Sequence, residues 1–429
     1  MNFIGPPLLF HPSHVISVLR CSHSESHGTS KQTRVRRPSM PMENETERFV
    51  ILMRHGMTDW NHDGRIQGSL DRSRLNTTGM KQARRAGRFL SGIPIDNVLC
   101  SPLHRARQTL ELVASVSQNP RLQRLRPELL DDLKEIQVPW QGGLRSEISS
   151  GHFRETYAKY KRNPYTFSYY GFNPLNDLVR RAELVWDTIM RSNGQFQLVV
   201  AHNQMNKALI CTALGMETSL ASWNQSNCCF NLFVLHKGRP PILRLCNGSG
   251  LKDPTYAPRR SYLRSKWTRV YIHQLGPVAG LRREVRRMPI AHLFCVNHKV
   301  EDLDLVALGK RSLKKKCTTV YIRGEDIASM YQACRELLDN IRNTFVDQQV
   351  IVSVNSSRVH SLFFVATLGR DANECRRLHT DSGGVSIIDL SSSCSLGPEG
   401  IRVECFNTHA NSSNGPLLGY TFGIDMNNY

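Results

Sequence analysis

The sequence has no apolar run of about 18 residues or more, so no membrane-spanning helix is expected. Its twelve cysteines form no Cys-x-x-Cys pair, which argues against a disulfide framework or a zinc ribbon and suits a reducing compartment. Zinc-finger spacing and an RNP-type aromatic box are also missing. The net charge of +20 is therefore read as a basic leader plus solvated basic faces, not as a nucleic-acid surface. No tight His/Cys/Asp group shows metal-ligand spacing, so no metal and no other cofactor is expected. Acidic residues are scarce at the start. Residues 1–42 hold only Glu25, against Arg20, Lys31, Arg34, Arg36 and Arg37, with seven serines among them. A basic, serine-rich start without a secretory apolar core has the composition of an organelle transit peptide. The alternative is a disordered cytosolic tail. Acidic residues return at Glu43, Glu45 and Glu47, which sets the boundary of a leader over 1–46.

What the chain does contain is enough apolar material, 40% of 429 residues, for two or three folded domains. Phe49 to Met53 is an apolar run with β-branched members, as in a strand buried on both faces. It ends at Arg54-His55-Gly56, where the glycine is expected to let the backbone turn and approach a ligand. A helix is predicted over roughly 78–91, and a second strand over Ile95 to Cys100. Ser101 and Pro102 are expected to open the helix that carries Arg105. Residues 150–173, rich in tyrosine, read as a cap over the site. A helix over 177–191 leads to a third buried strand, Phe196 to Ala201, which ends at His202. The next helix, Met205 to Leu214, is closed by Gly215. Strands alternating with helices at this spacing predict a doubly wound, mostly parallel α/β sheet with helices on both faces. In such sheets ligands bind at the carboxyl ends of the strands.

Two strands thus deliver His55 and His202, with Arg54 and Arg105 near strand-to-helix junctions and Glu135 in a loop between such units. Taken singly, each has an ordinary structural reading. Together they suit phosphoryl transfer. A neutral imidazole is a competent nucleophile. Fixed cations clamp the equatorial oxygens. A carboxylic acid protonates the leaving oxygen.

Four segments carry a resemblance to the histidine phosphatase superfamily, in its phosphoglycerate mutase-like branch. They are Leu52 to Asn61, Gly64 to Gly68, Ser101 to Thr109 and Val199 to Asn203, within a similar region spanning 48–250. The resemblance implies that His55 is the phosphorylated nucleophile. It places Arg54, Arg105 and His202 in the phosphate pocket, with Asn61 assisting, and Glu135 as the proton donor. It puts Arg65 and Gln67 where the family contacts substrate. It also implies a small phosphorylated substrate, such as a sugar phosphate or a sugar-acid phosphate like 2-carboxy-D-arabinitol 1-phosphate. The sequence departs from the family pattern after Glu135, where Pro139 and Gln141 replace a glycine and a glutamate.

The carboxyl-terminal part repeats the first weakly. Val352 to Gly369 lies over Leu198 to Gly215 at an offset of 154 residues, and Thr380 to Asp389 over Gln225 to Val234 at 155. Ser356 falls where His202 sits, and no Arg-His-Gly follows Val270 to Gly276. The expected organisation is a catalytic domain over 47–250, a basic linker over 251–268 and a degenerate, inactive copy of the same fold over 269–429. An active copy followed by an inactive one behind a transit-like leader resembles a plant chloroplast group of the family. That implies a plastid location, with mitochondrion or cytoplasm as alternatives. No nucleic-acid or membrane partner is expected, and a homodimer is allowed. Two other activities share the site, those of a phosphoglycerate mutase and of a fructose-2,6-bisphosphatase-like enzyme. A non-catalytic regulatory or anion-binding protein is the reading from another class.

Overall fold

The computed structural model describes residues 47–408, apart from 125, 217–219, 221, 249–265, 277–280, 283–284, 286–288, 323–325, 395 and 397–399, together with a two-residue strand at 16–17. The rest of the expected leader and most of the expected linker lie outside the described residues.

The strands are β1 (Ile16–Ser17), β2 (Arg48–Arg54), β3 (Asn97–Cys100), β4 (Glu128–Leu129), β5 (Phe196–Ala201), β6 (Phe230–Leu235) and β7 (Ile242–Gly248). They continue as β8 (Trp267–Gln274), β9 (His292–Val296), β10 (Cys317–Tyr321), β11 (Gln349–Val354), β12 (Val385–Ser391) and β13 (Ile401–Thr408). All belong to one sheet, ordered β1-β10-β9-β11-β8-β12-β13-β7-β6-β2-β5-β3-β4. The first half reads β7-β6-β2-β5-β3-β4 and the second reads β13-β12-β8-β11-β9-β10. Each half therefore places its six strands, counted along the chain, in the order sixth, fifth, first, fourth, second, third. In each half the last four positions are parallel neighbours and the fifth strand lies antiparallel to the first. The halves meet where β13 runs antiparallel to β7, with Phe406 opposite Cys246. β8 opens at Trp267, inside the range expected for the linker.

The alternation of β2 explains its central place. Val50 and Leu52 enter the core covered by the helices Pro174–Arg191 and Asn203–Leu214. Phe49, Ile51 and Met53 enter the opposite core, under the helices Thr77–Leu90 and His104–Val116. Each such side chain contributes about 1.5–3 kcal/mol through burial, which fixes the strand and hence its carboxyl end. The first of these cores continues through Trp223, Phe364 and Phe406 into the second half, so one face of the sheet has a single shared core. Among the described residues no helix is long and apolar enough to cross a membrane.

Local chemistry refines several boundaries. Asn76 caps the first long helix by accepting from the Gly79 amide, so the helix begins at Thr77. The helix after Cys100 begins at His104, behind Leu103, and not at Pro102. Gly56 does not adopt a left-handed conformation. A Cβ there would stand 2.7 Å from the Gly79 carbonyl oxygen, and one on Gly79 would stand 1.9 Å from that of Met57. The glycine pair thus exists to let the strand end press against a helix start. Gly215 does end its helix with a left-handed φ of 68°. Within the tyrosine-rich segment 150–173 the chain forms the helix Arg154–Arg162, whose Tyr157 and Tyr160 pack edge-on against Trp140.

Candidate active site

The carboxyl ends of β2, β3 and β5 bring together Arg54, His55, Ser101 and His202. The register explains this: Arg54 lies beside Ala201, and the His55 amide donates to the Ala201 carbonyl at 3.0 Å. The imidazoles of His55 and His202 lie 5.2 Å apart, tilted by 58°. His55 Nδ1 is 2.7 Å from the carbonyl oxygen of Gly56. A carbonyl only accepts, so Nδ1 carries the proton and the lone pair belongs to Nε2. Burial drives the His55 pKa well below 6.5, and the neighbouring Arg105 and Arg54 lower it further. The ring is therefore neutral near pH 7, as a nucleophile must be.

His202 stands at the start of the helix Asn203–Leu214, with Nε2 at 2.7 Å from Ser101 Oγ. Burial first, then the charge of Arg105, holds its pKa well below 6.5. Ser101, expected as a helix cap, is instead its ring partner. The sequence signal for this was present, since a hydroxyl at one strand end faces a histidine at the neighbouring strand end.

Arg105 is fully buried. It donates from Nη1 to the Leu70 carbonyl and from Nη2 to the Gly68 carbonyl, each at 2.8 Å. Burial lowers its pKa to about 10, which leaves it charged at neutral pH. Arg54 donates from Nη1 to the Gln225 carbonyl at 2.6 Å. Arg54 Nε, Arg105 Nε and His202 Nδ1 are buried and have no hydrogen-bond partner among the described residues. In a packed interior, buried donors of this kind are nearly always satisfied. Two unpartnered guanidinium donors, with an unpartnered ring nitrogen of His202 beside them, suit a site that receives an anion.

Glu135 lies at the same helix start. Its carboxylate accepts from the amides of Ile136 at 2.9 Å, Gln204 at 3.1 Å and Met205 at 3.2 Å. These donors fix the group beside His202. Burial first, then the charge of Glu135, pushes the Tyr160 hydroxyl up to about 12.

The other expected residues are near the site but tied into its walls. Asn61 closes a capping box with Thr58, and its Oδ1 also accepts from Asn227 at 3.3 Å. Arg65 donates to the Gly142 carbonyl at 2.5 Å and lies over the Trp60 ring. Gln67 accepts from Ser73 Oγ at 2.7 Å. Gln141, at the departure from the family pattern, accepts from the Ser69 amide at 3.0 Å. It thereby steadies the loop whose carbonyls hold Arg105. Three contributors escaped the sequence reading. Thr109 accepts from the Gly56 amide at 3.0 Å, Gln225 anchors Arg54, and Asn227 donates to the His55 carbonyl at 3.1 Å. The pair Cys228 and Cys229 is buried in this wall, consistent with a packing role.

The family model for the histidine phosphatase superfamily (branch 1) matches residues 50–248. A 2-carboxy-D-arabinitol-1-phosphatase from Triticum aestivum is 35% identical over 233 residues, 53% of this chain and 45% of the relative. A protein from Arabidopsis thaliana named Probable 2-carboxy-D-arabinitol-1-phosphatase is 35% identical over 185 residues, 43% of this chain and 37% of its own. The chain thus spans less than half the length of these two relatives. A 2,3-bisphosphoglycerate-dependent phosphoglycerate mutase from Azorhizobium caulinodans is 30% identical over 171 residues, 38% of this chain and 80% of the mutase. The chain belongs to the histidine phosphatase superfamily.

Proposed function

We propose that this protein is a phosphatase that hydrolyses a small anionic phosphomonoester through a phosphohistidine intermediate. The observation that carries the reading is the pair of unpartnered guanidinium donors, Arg54 Nε and Arg105 Nε, together with unpartnered His202 Nδ1, beside a neutral His55 whose Nε2 lone pair is free of the Gly56 contact. His55 Nε2 attacks phosphorus while the bond to the leaving oxygen breaks, and Glu135 gives that oxygen its proton. Water then attacks the phosphohistidine, returns a proton to Glu135 and frees phosphate. Arg54, Arg105 and His202 hold the equatorial oxygens as negative charge redistributes. Asn61 supports this pocket, and Arg65 and Gln67 line the approach to it. No step calls on a metal ion or other cofactor.

A sugar phosphate or sugar-acid phosphate is the substrate class we favour. The names of the wheat and Arabidopsis relatives support it. The mutase relative keeps one alternative open, in which a substrate hydroxyl takes the phosphoryl group in place of water. We also read residues 269–429 as a degenerate copy without turnover and the first 46 residues as a plastid leader. The strand order of the second half supports the former and the acid-poor composition the latter. A panel of phosphorylated sugars and sugar acids, assayed for free phosphate and for isomeric products with wild type and His55→Ala, tests the reading. Phosphate release that depends on His55 is expected. Release that survives the substitution overturns the mechanism, and isomerised product in place of phosphate establishes the mutase.

A further inference from the structure

We propose that the carboxyl-terminal half positions the phosphate clamp of the amino-terminal half, with Glu404 and Asn224 as positioning residues. The proposal rests on the reading of Arg54 as a phosphate ligand.

Arg54 has one protein hydrogen bond from its guanidinium among the described residues, to the carbonyl of Gln225. A guanidinium on a long flexible stem, held by one acceptor, is only as well aimed as that acceptor. Gln225 belongs to the segment 222–227, and second-half residues hold this segment at several points. Trp223 bridges to Val403 of β13 and packs against Phe364. The Asn224 amide donates to the Val403 carbonyl at 2.9 Å. Asn224 Nδ2 donates to Glu404 Oε2 at 3.0 Å, and Asn224 Oδ1 accepts from the Gln225 amide at 3.0 Å. The Ser226 amide donates to Asn247 Oδ1 at 2.7 Å, and Asn247 Nδ2 donates to the Glu404 carbonyl at 2.6 Å. Asn227 then contacts the His55 carbonyl directly.

Glu404 is fixed from its other side. Its Oε1 pairs with Arg402 Nε at 2.8 Å and lies 3.9 Å from Arg269, which Asp389 grips. Hydrogen bonds therefore run from Glu404 through Asn224 and Gln225 to Arg54, and the charge contact with Arg269, held by Asp389, backs Glu404. In this arrangement the second half acts as a brace for the first half's site. A misplacement of about 1 Å in such a clamp is enough to cost on the order of a hundredfold in rate.

The test uses the full chain with inorganic phosphate as the binding probe and p-nitrophenyl phosphate as the turnover probe. Glu404→Ala and Asn224→Ala are each expected to weaken phosphate binding and lower kcat/KM by about tenfold or more. The double variant should be no worse than either single change, because both break one chain of bonds. Glu404→Gln, which keeps an oxygen acceptor for Asn224, should recover phosphate affinity to within about threefold of wild type. Arg370→Ala removes a different contact between the halves, the 2.7 Å bond to the Gly215 carbonyl. It should leave phosphate affinity unchanged even where the melting midpoint falls. Wild-type affinity in Asn224→Ala overturns the brace, as do additive losses in the double variant or an equal loss in Arg370→Ala. If Glu404→Ala does not fold, Asn224→Ala and Glu404→Gln carry the test. Phosphate binding without turnover in wild type refutes the hydrolase reading and leaves the brace standing. Wild type that binds no phosphate overturns both.

Discussion

In the carboxyl-terminal half, Arg269 lies buried with both oxygens of Asp389 on its guanidinium, at 2.7 and 2.8 Å. Burial alone lowers its pKa, but these bonds more than reverse that, and the group is held above its ordinary value. In the amino-terminal half, the hydrogen bonds of the Arg54 and Arg105 guanidinium groups among the described residues go to backbone carbonyls, and their pKa values fall through burial. The strand order is the same in both halves, so the fold does not make the difference. A buried arginine neutralised by a carboxylate is complete and serves stability. A buried arginine anchored by carbonyls keeps its charge and a spare N–H for a ligand, at a cost in stability that a site has reason to carry. The histidines differ in the same sense. His55 and His202 stand at the ends of β2 and β5, whereas in the second half the residue after the β8 register is Leu275 and the helix after β11 is capped by Ser356.

The comparison breaks most visibly if the first half turns over without His55, the proposed nucleophile. His55→Ala is expected to lower kcat/KM by at least about 10⁴-fold in a phosphate-release assay. Next in size, Arg105→Ala should cost roughly 10²–10³-fold. The pH profile gives this change a second readout. A depressed pKa keeps His55 neutral until the pH falls below it, so the acid limb of the wild-type profile lies well below pH 6.5. Arg105 depresses that pKa, so its removal should move the limb upward. A limb that stays in place would separate Arg105 from the nucleophile. Glu135→Gln should slow alkyl phosphates by about 10²-fold and p-nitrophenyl phosphate much less, because a good leaving group needs no proton. Equal losses on both would remove its role as the acid. The smallest expected effect is none at all. Adding Leu275→His to the His55→Ala variant should restore neither turnover nor phosphorylation, because the second half offers that position no carbonyl-anchored arginine pair among its described residues. Restored turnover would show that the two halves differ in a single residue.

Much of this architecture was legible in the sequence. Alternating strands and helices predicted the parallel sheet, and the ends of two apolar runs located His55 and His202. The offsets of 154 and 155 residues predicted a repeat that the strand order matches. The remainder depends on contacts distant in sequence. Arg54 is anchored by Gln225, 171 residues away, and no local pattern announces a carbonyl acceptor. Ser-Pro is a good local helix opening, yet the helix starts at His104, because tertiary structure gives the Ser101 hydroxyl to His202. Gly56 has the local look of a turn residue, but its reason is the carbonyl of Gly79. The joining of β7 to β13 was invisible for the same cause, since pairing between halves leaves no periodic trace in either strand.

The central claim is that one half of a doubled fold carries the phosphohistidine. It is tested most directly by rapid acid-free quench of wild-type protein turning over a radiolabelled phosphomonoester, followed by peptide mapping of the label. The account predicts acid-labile, base-stable phosphate on the peptide containing His55, at no more than one equivalent per chain. Label on any other residue, two equivalents per chain, or rapid turnover with no labelled histidine would contradict it.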